Sequence, residues 1–226
     1  MPKLAAAAVL FSGGRDSSLA ACLLAARGTT VDLLTCDNGA TIHGGVAAHR
    51  VAELRSALGS RLSRWEVRAT HALFRRVALR EIEQDFARYR VNLIILGSQL
   101  ATLTEGVLYC LEREIPSLAT GFTAYQAHFA EQTPVAIRLM RSFCEHYGVQ
   151  FLTPAATYES ASEVGEALLA HGISTKSLEG FSIFSDTFSE PTEALVESYI
   201  LEKLPHCHAY AEELMRMRGL LTGSRA

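Results

Sequence analysis

Seven residues near the start of the chain, Ser12, Gly13, Gly14, Arg15, Asp16, Ser17 and Ser18, combine two adjacent glycines with three hydroxyls, one guanidinium and one carboxylate. Paired glycines permit positive φ and let a ligand approach the main chain. If a helix starts here, its first N–H groups lack partners and the positive end of its dipole faces outward. Such a place suits an oxyanion, and Ser12, Ser17 and Ser18 add donors that can follow the oxygens of a polyphosphate. Asp16 has the wrong sign for an anion site unless Mg²⁺ lies between it and the phosphates, because that cation is held by carboxylates together with phosphate oxygens. Arg15 would either neutralise phosphate or face solvent. Two common phosphate loops do not fit: Arg15 and an acid stand where a Walker A loop has Lys and a hydroxyl, and the Gly-x-Gly-x-x-Gly spacing is absent. A plain strand-to-helix turn with a Ser or Asp cap is the alternative.

The elements around these residues must form a strand, a turn and a helix. Residues 5–11 are continuously apolar, which suits a strand covered on both faces. Over 17–27, Leu19, Cys22, Leu23 and Ala26 recur at helical spacing, and Gly28 closes the run. Further along, the pattern predicts strands at 31–36, 64–69, 92–96, 116–119 and 149–152. Helices are predicted over 46–58, 73–89, 107–113 and 133–146. This alternation implies an α/β fold with a mostly parallel, doubly wound sheet. Ligands of such sheets collect beyond the carboxyl ends of the strands, where Ser12 to Ser18, Cys36 to Gly39 and Gly97 to Gln99 fall. The last third is different: a helix over 162–171, a loop over 172–186, and two helices over 193–203 and 208–217. The expected division is therefore an α/β domain over 1–155 and a mostly helical extension over 156–226 that completes the site or an interface.

The stretch Ser-Gly-Gly-Arg-Asp-Ser-Ser resembles the Ser-Gly-Gly-x-Asp-Ser signature of the PP-loop, or N-type, ATP pyrophosphatases, an adenine nucleotide alpha-hydrolase-like group. The resemblance implies ATP and Mg²⁺ as cofactors, with Gly13, Gly14, Ser12, Ser17 and Ser18 on the phosphates. It also implies adenylation of a substrate oxygen, release of pyrophosphate, and displacement of AMP by a nitrogen or sulfur nucleophile. Leu33 to Gly39 resembles the end of the family's second strand, which places Thr35, Cys36 and Asp37 beside the adenine. Leu93 to Ser98 resembles a later strand that often ends in Gly-His in relatives; here Gly97 is followed by Ser98. Gly172 to Ser177 is similar to a C-terminal Lys/Ser segment that helps bind pyrophosphate, which makes Lys176 a catalytic candidate beside Asp16 and Arg15. The acceptor implied is a small molecule or an RNA.

Each of these residues also has a plainer reading. Lys176 suits phosphate oxygens as a point charge, or is an ordinary solvated lysine. Asp37 would bind a second Mg²⁺ or the substrate, or simply start the turn Asp37-Asn38-Gly39. His43 and His49 lie beside Gly44 and Gly45, near the expected nucleotide or merely on the surface. His206, Cys207 and His208 are adjacent, a spacing that does not share a helix face, and no Cys-x-x-Cys pair is present to hold zinc or a cluster. The five cysteines, Cys22, Cys36, Cys110, Cys144 and Cys207, have no paired spacing, which points to reduced thiols; Cys36 and Cys110 are candidates for a persulfide.

Composition agrees with this reading. The 226 residues are 49% hydrophobic, enough for a sizeable core, and carry a net charge of −3 without a polybasic block. Strong nonspecific binding to nucleic acid is therefore not expected. No apolar run approaches a membrane span, so the expected location is the cytoplasm, and the C-terminal helices are a candidate contact for a second copy of the chain. The competing function is a protein that binds adenine nucleotides without consuming them, as a sensor or as an assembly subunit.

Overall fold

The first apolar run forms strand β1 (Ala6–Leu10), whose residues alternate between two cores: Ala8 and Leu10 face one, Ala7 and Val9 the other. The computed structural model describes residues 6–42, 44–184 and 190–220, so His43 and the end of the loop expected over 172–186 lie outside the described residues. Helix α1 (Arg15–Ala26) follows, then β2 (Thr30–Asp37), a short β3 (Thr41–Ile42) and α2 (Ala47–Leu58). Strand β4 (Leu62–Ala69) leads into α3 (His71–Phe74), a π-helical turn (Arg75–Leu79), α4 (Ile82–Tyr89) and the long α5 (Ile94–Arg113). Then come β5 (Ser117–Ala119), α6 (Pro134–His146), β6 (Gln150–Leu152), α7 (Ala161–Ala170), β7 (Phe181–Ser182) and α8 (Glu193–Met217).

Five strands form one sheet in the order β4-β2-β1-β5-β6, with every neighbouring pair parallel. The chain steps outward from β1 to β4, then crosses to the other side of β1 with β5. The order reverses between β1 and β5, which is where an open parallel sheet leaves a crevice for a ligand. One core, with Leu19, Val51, Leu54 and Val164, packs α1, α2 and α7 on one face. The other, with Leu96, Leu103, Met140 and Ile200, packs α5, α6 and α8 on the opposite face. The fold is thus the α/β, doubly wound class read from the sequence, with helices α7 and α8 after the last sheet strand.

Three expectations for local structure are corrected. Residues 92–96 do not form a strand but lead into and begin α5, a helix of 20 residues; a short apolar run bordered by polar residues has the same signature in a buried strand and a buried helix. The helix expected over 73–89 is interrupted by the π-helical turn. The two helices expected near the C-terminus are one, with Pro205 accommodated inside α8. A two-stranded antiparallel ribbon of β3 and β7 had no counterpart in the sequence pattern. Among the described helices, α5 has the length and apolar composition to cross a membrane, but most of it is buried within the fold, as befits a core helix.

Candidate functional site

Beyond the end of β1 the chain turns through Gly13, whose φ of +89° is open to glycine at little cost. Gly14 is extended and serves as the N-cap of α1 with no side chain capping the helix. The Ser12 hydroxyl accepts from the Gly14 N–H at 3.1 Å. Ser17 and Ser18 are buried, and their hydroxyls turn back to the Gly14 carbonyl at 3.3 and 2.6 Å. These two serines shape the turn. The start of α1 therefore presents main-chain N–H groups and a positive dipole end at the crevice between β1 and β5.

Asp16 lies in the first turn of α1 and is held from the far side of that crevice. The Tyr125 hydroxyl donates to both of its carboxylate oxygens, at 3.0 and 3.1 Å, and the Gln126 amide donates at 3.2 Å. Gln126 is fixed in turn by Gln132 at 2.7 Å, and Gln132 accepts from the Thr123 N–H at 3.0 Å. Burial pushes the Asp16 carboxyl above its ordinary range and nearby Glu179 adds to this, while Tyr125, Arg15 and Gln126 pull it back. Burial and the Asp16 charge push the Tyr125 phenol up to about 12, so it stays a donor. Gly121, in the turn after β5, presses on the same helix start: a Cβ there would lie 2.4 Å from the Ser17 nitrogen and 2.6 Å from the Asp16 carbonyl carbon.

A third segment closes over the loop. The Glu179 carboxylate accepts from the Ser12 hydroxyl at 3.0 Å and from Ser177 at 3.1 Å. It rests against Gly14, where an added Cβ would come within 2.3 Å of a Glu179 oxygen, and the Leu178 carbonyl approaches Gly13 equally closely. The segment is pinned on both sides. Upstream, the fully buried Arg50 guanidinium donates to the Ser174 carbonyl at 2.7 Å, to the Lys176 carbonyl and to Glu53. Downstream, β7 pairs with β3, and the Ile183 N–H donates to the Ala40 carbonyl at 2.9 Å.

The remaining expected site residues are spread around this centre. The Thr35 hydroxyl is tied into the sheet, donating to the Phe11 carbonyl at 2.8 Å and accepting from Trp65 at 3.0 Å. Cys36 lies against α5, and burial pushes its thiol up. Asp37 is half exposed, accepts from the Gly39 N–H at 2.8 Å and lies 3.6 Å from His71. Asn38 donates to Ser98 at 2.8 Å, which joins the end of β2 to the start of α5. Gly97 serves packing: a Cβ there would come within 2.6 Å of the Tyr199 hydroxyl and 2.8 Å of the Ala78 methyl. Lys176 gives its carbonyl to Arg50, and its side chain is exposed. Burial pushes the Cys110 thiol up to about 12, so it is a poor nucleophile. His206, Cys207 and His208 diverge, with Cys207 in the core and His208 bonded to the Tyr147 hydroxyl at 2.8 Å. Asp16, Ser12 and the glycines were legible by residue type; Gly121, Tyr125, Gln126 and Glu179 were missed, because no local pattern marks a residue that reaches the loop from more than 100 positions away.

No protein-family model matches the chain, and a search of characterised proteins gives no match. Among solved structures, it superposes on a 4-thiouridine synthetase, crystallised with RNA and bound ATP, with a TM-score of 0.65 over 92% of this chain at 15% identity. At that identity the likeness shows the fold alone: a doubly wound α/β sheet arranged as in that synthetase. The chain spans about half of that synthetase, 53% of its length. A predicted subunit of a tRNA methyltransferase from Methanocaldococcus jannaschii is also similar, with a TM-score of 0.47 at 18% identity over 80% of this chain and 97% of the other. The strand order itself places the Gly13-Gly14 turn at the switch point of the sheet.

Proposed function

We propose that the protein is an ATP pyrophosphatase-type enzyme working in the cytoplasm. It adenylates a substrate oxygen, releases pyrophosphate, and lets a nitrogen or sulfur nucleophile displace AMP. The observation that carries this reading is Asp16. A carboxylate at the first turn of an uncapped helix, held by Tyr125 and Gln126, makes little sense in a plain anion site and good sense beside a cation-bound phosphate.

The main-chain N–H groups at the start of α1 bind the triphosphate and orient its innermost phosphorus toward the acceptor. Hard carboxylate oxygens at Asp16, with Glu179 close by, fit Mg²⁺; when bound, that ion neutralises charge on the phosphates. Asp37 is the proposed second ligand, and Arg15 and Lys176 are the side chains proposed to steady the leaving pyrophosphate. Thr35, Cys36, Gly97 and Ser98 are proposed to border the nucleotide. The likeness to a synthetase bound to RNA supports testing RNA among the acceptors, beside small molecules. Helix α8, which exposes Leu201 and Met217, is the proposed contact for a second copy.

The test is incubation with ATP, Mg²⁺ and candidate nucleophile donors, with products separated as AMP plus pyrophosphate or ADP plus phosphate. The expected products are AMP and pyrophosphate. Stable retention of ATP without AMP under every condition would instead identify a nucleotide sensor.

A further inference from the structure

Glu179 holds a carboxylate of the chain's own against the glycine turn, the place the proposed function gives to phosphate. It contacts Ser12 and Gly14, the residues that form the turn. Asp16, two residues after Gly14 and held by Tyr125, lies close enough for its charge to feel that of Glu179. Two acids thus border a cradle whose main chain favours anions. The strap carrying Glu179 is pinned by Arg50 and by the β3–β7 ribbon, so Glu179 can swing aside but cannot leave the neighbourhood.

We propose that Glu179 is a specificity residue that makes the loop accept a nucleotide only together with its divalent cation. The inference rests on the phosphate-loop reading above and goes beyond it. A bare triphosphate must displace the Glu179 carboxylate and then sit between it and Asp16, with like charges on both sides. A triphosphate carrying a divalent cation brings the opposite charge to that position, and the displaced carboxylate meets a cation in place of another anion. Arg15 is the nearby positive group, and it neutralises one acid at most. The Lys176 side chain is exposed, and its carbonyl is held by Arg50.

The experiment is isothermal titration of the full chain with the α,β-methylene analogue of ATP, in excess EDTA and in saturating Mg²⁺. It compares wild type with Glu179→Gln and Glu179→Ala, each checked by its melting curve. Wild type is expected to bind the Mg²⁺ form about tenfold or more tightly than the bare form, within the range usual for coupling between two ligands. Both variants should shrink that ratio to about threefold or less, mainly by tightening the metal-free arm. A ratio unchanged in both variants overturns the role of Glu179 while leaving the phosphate-loop reading intact. Absence of binding in every arm, wild type included, overturns both.

Discussion

Gly121 offers the sharpest test of how the sheet builds the site, because it belongs to the turn after β5 and touches the first residues of α1. A methyl group at this position would lie 2.4 Å from the Ser17 nitrogen, 2.6 Å from the Asp16 carbonyl carbon and 2.7 Å from the Ser17 Cα. Ordinary contact needs about 3.5 Å, so Gly121→Ala must push the start of α1 away from β5 by roughly 1 Å. All three atoms are main chain, so no rotamer change relieves the clash. Overpacking of this kind costs about 1–3 kcal/mol. At roughly 2–4 °C per kcal/mol for a domain of this size, the melting temperature should fall by about 2–12 °C. The same displacement moves Asp16 relative to Tyr125 and the loop amides, and misplacement by about 1 Å can cost about a hundredfold in activity. Thermal melting with and without ATP and Mg²⁺, followed by nucleotide titration, reads both effects. A variant that melts within about 1 °C of wild type and binds the nucleotide unchanged would refute the claim that this contact sets the position of the helix start.

Other perturbations test separate parts of the structure. Asp16→Asn should abolish Mg²⁺-dependent turnover of ATP while leaving the melting temperature at pH 7 equal or higher. Its carboxyl is raised in the fold, so ionised Asp16 already opposes folding above its unfolded value of 3.8; a marked loss of stability would contradict this. Arg50→Met removes the donor to the Ser174 and Lys176 carbonyls and leaves Glu53 with only the Ser174 hydroxyl as a partner. It should cost about 1–3 kcal/mol and speed limited proteolysis between residues 174 and 180; unchanged cleavage would mean that Arg50 does not hold the strap. Lys203, buried among Asp85, Glu81 and Glu202 at 2.9, 3.2 and 3.2 Å, should cost about 3 kcal/mol when replaced by Met. Burial alone would lower its pKa, but those three bonds outweigh it and raise it above 10.5, while Glu202 is held below 4.5. The deficit of Lys203→Met should therefore be greatest between about pH 5 and 10 and shrink as pH rises through the folded Lys203 value or falls through that of Glu202. Urea unfolding across that range checks it, and a deficit independent of pH would exclude the ion cluster as its source.

The parts of the fold legible in the sequence are those whose signals are local. The strand, Gly-Gly turn and helix around Ser12 to Ser18 carry their chemistry within seven residues, and Gly13 adopts the positive φ that the paired glycines suggested. The run at 92–96 was misread because its apolar side chains face a core in either conformation. What decides it is the continuation through Leu100, Leu103 and Val107 into α5, where helical spacing places them on one buried face. The break expected between residues 203 and 208 does not occur, because Tyr199, Ile200, Lys203 and Cys207 on both sides of Pro205 are buried along one face of α8. Tertiary packing overrides the local cost of a helical proline there. The acid over the loop, the phenol on Asp16 and the glycine against α1 were illegible for one reason. Each acts through a contact that exists only after the sheet has brought three distant segments to the gap between β1 and β5.

That convergence sets what a ligand must displace at the loop. No side chain caps the start of α1, and its dipole is opposed by Asp16 in the first turn and by the Glu179 carboxylate bonded to Ser12. A charge near a helix terminus is worth about 0.3–1 kcal/mol, so giving up this contact weakens nucleotide binding by a factor of roughly two to five, at about 1.4 kcal/mol per tenfold. That loss applies equally to the bare and the Mg²⁺-bound nucleotide, so it cannot produce a preference between them. The preference must come from the negative charge that persists beside the bound ligand after Glu179 has swung aside. Gln at position 179 preserves an acceptor for the Ser12 hydroxyl and removes only the charge, whereas Ala removes both. If charge is the cause, the two variants should shrink the metal preference alike, and Ala should add only a further uniform tightening in both arms. A Gln variant that keeps the wild-type preference while Ala loses it would assign the discrimination to the bulk of the side chain in the cradle and not to its charge.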